Sequence, residues 1–234
     1  MTEHVTLAAA DVVPVAALIA DAARSSMLWA LSDGRALTAG ELARLAGVSA
    51  ATASEHLAKL VAGGLVAGER HGRHRYYRLI APEVVAAMEA LAVAARPAPP
   101  RSAGEAYSGK LLRFARTCYD HLAGYVGVAI TDALVERDVL RLEGRAYAVT
   151  AQGAAWFAEL GIDVDALRSG RRAFARACLD WSERRYHLAG ALGARLCERL
   201  IALEWLARQP GTRALRVTNA GRRALQRSFG IRVL

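Results

Sequence analysis

Between Thr38 and Gly64 the chain is punctuated so closely that only two short helices and one turn fit. Thr38-Ala39-Gly40-Glu41 sets a hydroxyl three residues ahead of a carboxylate, the reciprocal pair that caps a helix start. Leu42, Leu45 and Ala46 follow at helical spacing, and Gly47 stops the run, because a residue without Cβ takes the left-handed terminal conformation at least strain. One residue further on, Ser49 caps AATASEHLAKLVA, whose apolar stripe is Ala53, Leu57, Leu60 and Val61, and Gly63-Gly64 ends it. Two short helices about a glycine turn, the second opened by serine, make a helix-turn-helix. Upstream, Asp21 caps a helix carrying Met27, Leu28, Ala30 and Leu31 on one face, which stops at Asp33-Gly34. Downstream, Leu65-Val66 and Tyr76 to Ile80 read as strands around a Gly72 turn. A hairpin directly behind a helix-turn-helix is a winged helix. The helix PEVVAAMEALAVAA, begun by Pro82, closes the module.

The hairpin holds the most charged stretch of the chain. RHGRHRYYR, residues 70–78, has four arginines, two histidines and no acid. Such a patch repels itself unless an anion meets it. The whole chain carries +9 formal charge, nearly all from arginine, with Lys59 and Lys110 as the only lysines. Double-stranded DNA is the anion that fits a helix-turn-helix. Its phosphates supply most of the affinity, and base edges are read in the major groove by the first turns of the second helix. The expected readers are therefore Thr52, Ser54 and His56, with Ser49, Ala50 and Ala51 beside them. Glu55 either accepts from a cytosine or only favours the helix N-terminus, and Lys59 is expected on a phosphate. Arg70, His71, Arg73, His74, Arg75 and Tyr76 are expected along the flanking backbone, with Tyr76 and Tyr77 alternating so that one faces in and one out.

Residues 15–95 resemble the ArsR/SmtB transcriptional regulators. The matching stretches are Asp21-Ala22-Ala23-Arg24, ELARLAGVSAATASEHLAKLVAGGLV and GRHRYYRL. The resemblance implies a homodimeric winged-helix repressor on a palindromic operator, with Val84, Met88, Leu91 and Ala95 pairing with Val15, Leu18 and Ile19 between subunits. It also implies two places to look for a sensed metal. The cysteine positions of one are occupied here by Ala43 and Leu45. The other needs acid and imidazole groups on the closing helix, which here has Glu83 and Glu89 but no histidine. Neither familiar metal site is present.

Three of the six prolines fall in RPAPPRSAG, residues 96–104, which suggests a stiff linker between a DNA-binding and dimerisation domain (1–95) and a second domain (105–234). That second domain contains a duplication, with repeats of about 110–165 and 170–234. Arg116-Thr-Cys118-x-Asp120 recurs as Arg176-Ala-Cys178-x-Asp180, and His121-Leu-Ala-Gly124-x-x-Gly127 as His187-Leu-Ala-Gly190-x-x-Gly193. VTAQG (149–153) and VTNAG (217–221) match further on. Each half reads as helix, helix, strand pair, helix, a degenerate winged helix. The expected fold class is thus mainly α with short β-wings. If the halves meet about a pseudo-two-fold axis, Cys118, His121, Cys178, Asp180, Glu183 and His187 come together, a set suited to a thiol-reactive or metal effector. The alternatives are that the cysteines are plain core residues and that HLAGxxG is a helix-packing motif, or that Tyr119, Trp181, Tyr186 and Trp205 line a pocket for an organic effector.

Three cysteines and no apolar run of roughly 20 residues point to a reducing cytoplasm and no membrane. The first residues lack a basic leader and read as mature protein. No nucleophile elbow, phosphate loop or HExxH motif occurs, which argues against an enzyme. A DNA-binding domain fused to an unrecognised enzyme and an effector-free architectural DNA binder are the competing readings.

Overall fold

Three helices of the first unit, those that open after Asp21, Thr38 and Ser49, start where a side chain caps them, and these caps set its layout. The structure is a computed structural model describing residues 12–80, 82–95, 99 and 102–233. The chain forms two compact units, which part between Val85 and Ala86. The first contains α1 (Val13–Ile19), α2 (Ala22–Leu31), β1 (Leu37–Thr38), α3 (Ala39–Ala46), α4 (Ala50–Ala62), β2 (Val66–His71) and β3 (His74–Leu79). Asp21 accepts from the backbone N–H of Arg24 at 2.9 Å and opens α2. The Thr38–Glu41 box closes on both sides, at 3.3 and 2.8 Å, and Ser49 accepts from Thr52 N–H at 3.1 Å. Gly47 is left-handed, as a turn this tight requires. Met27, Leu28, Leu31, Leu42, Ala53, Leu57 and Leu60 form the buried centre. Leu45 was expected there but is exposed, because only one face of α3 meets α2 and α4.

The strands of the wing are longer than the sequence suggested. They pair from Val66↔Leu79 out to His71↔His74 around Gly72-Arg73, and β1 adds a third strand against β3. Tyr77 is buried and Tyr76 only partly so, which is the alternation expected of a strand. Helix α5 (Pro82–Ala94) runs through the boundary between the units. Of the stripe expected between subunits, Val84 and Met88 are buried within the chain and Leu91 is exposed. Most of the 96–104 stretch lies outside the described residues. The second unit begins earlier, inside α5, because Glu89 pairs with arginines of that unit.

The second unit continues with α6 (Ala103–Phe114) and then repeats one order of elements twice. The first half is β4 (Arg116–Cys118), β5 (His121–Ala123), α7 (Gly124–Glu136), β6 (Leu140–Glu143), β7 (Ala146–Val149) and α8 (Ala151–Glu159). After α9 (Val164–Arg168), the second half is β8 (Arg176–Leu179), β9 (Tyr186–Ala189), α10 (Gly190–Ala202), β10 (Leu206–Arg208), β11 (Leu215–Val217) and α11 (Asn219–Phe229). Each half therefore opens on a hairpin where the first of two helices was expected, and the second helix, the strand pair and the last helix follow as expected. The strands are only three or four residues long, too short to show an alternating pattern, and cross-strand pairing decides their state. HLAG is the strand-to-helix corner, and it needs glycine. Gly124 and Gly190 have positive φ, and a Cβ there would stand 2.7 Å from Arg113 O and 2.6 Å from Ala173 O.

The halves exchange strand edges. Ala177 N–H donates to Arg145 O and Tyr147 N–H to Ala175 O, joining β7 to β8 in a four-stranded sheet. The equivalent residues repeat the exchange on the other side. Thr117 N–H donates to Arg213 O and Leu215 N–H to Ala115 O. A core of Val126, Ile130, Leu134, Phe157, Leu188, Leu192, Leu196 and Phe229 lies beneath both halves.

Candidate functional site

Two sets of side chains stand out, one in each unit. On α4, Ser49, Ala50, Ala51, Ser54, Glu55 and Lys59 are exposed and Thr52 partly so. Ser54 Oγ donates to Ala50 O at 2.9 Å, and Ser49 and Thr52 share a hydroxyl hydrogen bond of 2.8 Å. His56 differs from its neighbours. Its ring is mostly covered, with Nδ1 3.4 Å from Arg24 Nη1 and 3.7 Å from Asp21 Oδ1. Arg24 also donates to Ala17 O and Leu18 O, at the end of α1. His56 therefore belongs to the contacts between α2 and α4, and Arg24, in the sequence only a mark of family resemblance, organises them.

The wing exposes Arg70, His71, Arg73, His74 and Arg75, with Tyr76 half-buried. The register sets Arg70 directly opposite Arg75 and His71 opposite His74. Like charges facing across a hairpin destabilise it. Among the described residues, Arg78, on the face opposite the Arg70–Arg75 pair, is the wing arginine with a carboxylate partner, Glu69 at 2.8 Å. Arg75 lies over the Tyr77 ring, 5.5 Å from its centre, and Arg73 Nε donates to His74 Nε2 at 3.1 Å.

The second set is buried. Cys118 and His121 are cross-strand partners on β4–β5, and Cys178 and His187 are partners on β8–β9. One ligand atom from each of the four falls within 4.8 Å of the others. The pseudo-two-fold juxtaposition expected from the duplication is thus met by these four. Asp180 and Glu183 stand outside the four. Asp180 Oδ2 accepts from Gly124 N–H at 2.7 Å, at the start of α7, and from Arg116 at 3.1 Å. Its Oδ1 takes Ser182 and the backbone N–H of Glu183. Two further residues of this site were not expected from the sequence. Arg116 is fully buried against Asp180, Glu89 and the Trp181 ring. Asp120, the repeat equivalent of Asp180, lies 3.3 Å from His121 Nδ1 and 2.8 Å from Arg172. The repeat itself was the signal that marked both.

The electrostatics follow from this crowding. The Cys118 thiol, which donates to Cys178 and is buried, is pushed up to about 12, and the same bond lowers Cys178. Burial disfavours charge on His121, yet Cys118 and Asp120 outweigh it and raise its pKa. At His187, Asp180 and Cys118 do the same. Burial likewise opposes the Asp180 carboxylate, but His187, Arg116 and Ser182 hold it well below the carboxylate range.

A helix-turn-helix domain family model matches residues 19–69. Over 223 residues the chain is 46% identical to the uncharacterized HTH-type transcriptional regulator YdfF of Bacillus subtilis (strain 168), covering 95% of this chain and 99% of that protein. The HTH-type transcriptional regulator KmtR of Mycobacterium tuberculosis is 44% identical over 68 residues, 29% of this chain and 52% of that one. Among solved structures, HlyU from Vibrio cholerae N16961 is 33% identical over 34% of this chain and 85% of its own, with a TM-score of 0.32. Since a regulator of that description matches almost from end to end, the chain belongs to the HTH-type transcriptional regulators.

Proposed function

We propose that this regulator is a homodimeric repressor that grips a palindromic double-stranded operator with α4 and the wing, and lets go when an effector binds the duplicated unit. The observation that carries the DNA-binding mode is the Arg70–Arg75 pair. Two guanidinium groups without a carboxylate partner among the described residues stand opposite each other on an exposed hairpin, an arrangement that becomes favourable when a phosphate sits between or beside them. Thr52, Ser54 and Glu55 are the base-reading candidates, with Ser49, Ala50 and Ala51 beside them and Lys59, Arg70, His71, Arg73, His74, Arg75 and Tyr76 along the backbone. His56 is already engaged with α2 and has a positioning role.

The dimer reading rests on apolar surface. Helix α1 buries none of its residues within the chain, and Val15 of α1 and Leu91 of α5 are exposed. The effector reading rests on the second unit, which holds a buried ligand-bearing set of Cys118, His121, Cys178 and His187. Helix α5 belongs partly to each unit and carries Glu89 in the ion-pair network of that set. Sedimentation of the free protein and DNA-bound complexes, combined with binding across a salt series, tests the proposal. A dimer whose affinity falls steeply with salt is expected. A monomer both free and DNA-bound at micromolar concentration overturns it.

A further inference from the structure

The pairing of two cysteines and two histidines in one buried site has a definite chemical meaning. We propose that the second unit binds one zinc-like divalent transition-metal ion in closed tetrahedral coordination by Cys118, His121, Cys178 and His187. Nothing in this depends on the regulatory reading, because it concerns ion binding alone.

Three observations carry it. The first is spacing. Zinc binds imidazole nitrogen at about 2.0–2.1 Å and thiolate at about 2.3 Å, so neighbouring ligand atoms on a tetrahedron stand about 3.3–3.8 Å apart. His121 Nε2 and His187 Nε2 lie 3.2 Å apart, and all four ligand atoms fall within 4.8 Å.

The second is tautomer control. His121 Nδ1 faces Asp120 Oδ1 at 3.3 Å within hydrogen-bond geometry, whereas His187 Nδ1 lies 3.4 Å from Asp180 Oδ2 without a hydrogen bond between them. A carboxylate at Nδ1 holds the ring proton there and leaves Nε2 as a bare lone pair, the arrangement that orients metal-binding histidines. Asp120 holds the His121 ring in this way, and its Nε2 meets Nε2 of His187 at 3.2 Å inside the protein. A metal ion between them takes both nitrogens as ligands, and the two thiols beside them complete its set.

The third is charge. On binding, each thiol gives its proton to solvent, and two thiolates with one divalent ion make a neutral centre. Neutrality suits a place where Cys118, His121 and His187 are all buried. The nearby Asp180 charge is already answered by Arg116 and the α7 N-terminus. Four protein ligands leave no open position for substrate, so the centre holds an ion without activating water. Each half contributes one cysteine and one histidine, so the ion fastens the two halves together.

The test uses the full-length chain, reduced, stripped with a chelator and titrated with Co(II) as a spectroscopic substitute for zinc. The expected result is one Co(II) per chain, with the visible bands of tetrahedral cobalt and a thiolate-to-cobalt band in the near ultraviolet, all erased by added Zn(II). Cys118→Ser with Cys178→Ser should remove the thiolate band while leaving circular dichroism unchanged. Asp120→Asn, which touches no metal, should weaken Co(II) affinity about 10–100-fold through loss of ring orientation. No tetrahedral signature in the reduced wild-type chain overturns the proposal. So do bands that survive in the double serine variant, or quantitative recovery of a Cys118–Cys178 disulfide from protein isolated and alkylated without reductant. Because no step uses DNA, failure here leaves the repressor reading standing, and failure of DNA binding leaves the metal site standing.

Discussion

The guanidinium of Arg116 lies 3.1 Å from Asp180 Oδ2, and neither side chain reaches solvent. Two charges removed from water hold each other only while both are present. Removing one partner of such a pair costs about 3–5 kcal/mol, because the other is left buried and uncompensated. Asp180→Ala should therefore lower the unfolding free energy by about that much, measured by urea denaturation. Arg116→Met combined with Asp180→Leu should cost clearly less than the two single changes added together. Strict additivity would mean that the pair is not coupled.

The wing should show opposite signs for folding and for binding. Arg70→Ala with Arg75→Ala relieves a like-charge pair at the surface, so stability should stay within about 0.5 kcal/mol of the parent or rise. Operator and random DNA should both bind more weakly, and the slope of log affinity against log salt should flatten by about 0.9 for each phosphate that is no longer neutralised. The same slope measured for Arg73→Ala tells whether the turn itself touches the backbone. An unchanged slope in the double variant removes the wing from the interface.

Sequence choice should lie in Thr52 and Glu55 rather than His56. Replacing either with alanine should change the preferred operator by about 1–3 kcal/mol at one base pair. His56→Ala should leave the preferred sequence alone and lower stability modestly, since His56 Nδ1 meets Arg24 and Asp21. Binding selections from a randomised library separate these outcomes.

The duplicated first turns of α8 and α11 should reject any side chain. A Cβ on Gly153 would stand 2.1 Å from Val139 O, and on Gly221 2.0 Å from Trp205 O. Both obstacles are backbone, so the helices must shift. Gly153→Ala and Gly221→Ala should each cost about 1–3 kcal/mol by thermal or urea unfolding, whereas Gly40→Ala, with open space around it, should be harmless.

The Thr38–Glu41 cap should add an acid-side pH dependence. The Thr38 backbone N–H and hydroxyl donate to Glu41 and hold its carboxyl below the ordinary value. A folded value below the unfolded one means the contribution is complete above the unfolded value of 4.5 and disappears as pH falls through the folded one. Glu41→Gln should therefore be less stable than the parent at neutral pH and should converge with it in acid. A gap that stays constant from pH 7 to pH 3 would remove the cap's charge from the account.

These elements were not equally legible. The first unit announced itself because its signals are local: Asp21, Thr38 and Ser49 accept backbone hydrogen bonds within three residues, and Gly47 and Gly63-Gly64 mark helix ends. Leu45 was misplaced because spacing gives a helix face without saying how wide the covered part is. The hairpins of Cys118 and Cys178 were hidden for the opposite reason. Their pairing partners lie up to thirteen residues away in a three- or four-residue strand, and Arg116-Thr-Cys118 alone prefers no state. The meeting of Cys118, His121, Cys178 and His187 was still foreseeable, because an ordered repeat of unlike residues survives whatever secondary structure carries it. Asp120 was in that repeat too. Its role waited on geometry, since only a distance to His121 Nδ1 tells an orienting carboxylate from a solvated one.

The reciprocal strand exchange, Tyr147 to Ala175 on one side and Leu215 to Ala115 on the other, is what two identical subunits look like once a single chain has joined them. Each half lends an edge and borrows one, so neither can be cut away without leaving an unpaired strand for another molecule to adopt. Joining also releases the copies from identity. Arg116 has sunk into the interior while its counterpart Arg176 remains at the surface, and only Asp180 takes the amide at the start of the opposite half's helix. A centre that two equal partners would have to build symmetrically can here be tuned one ligand at a time.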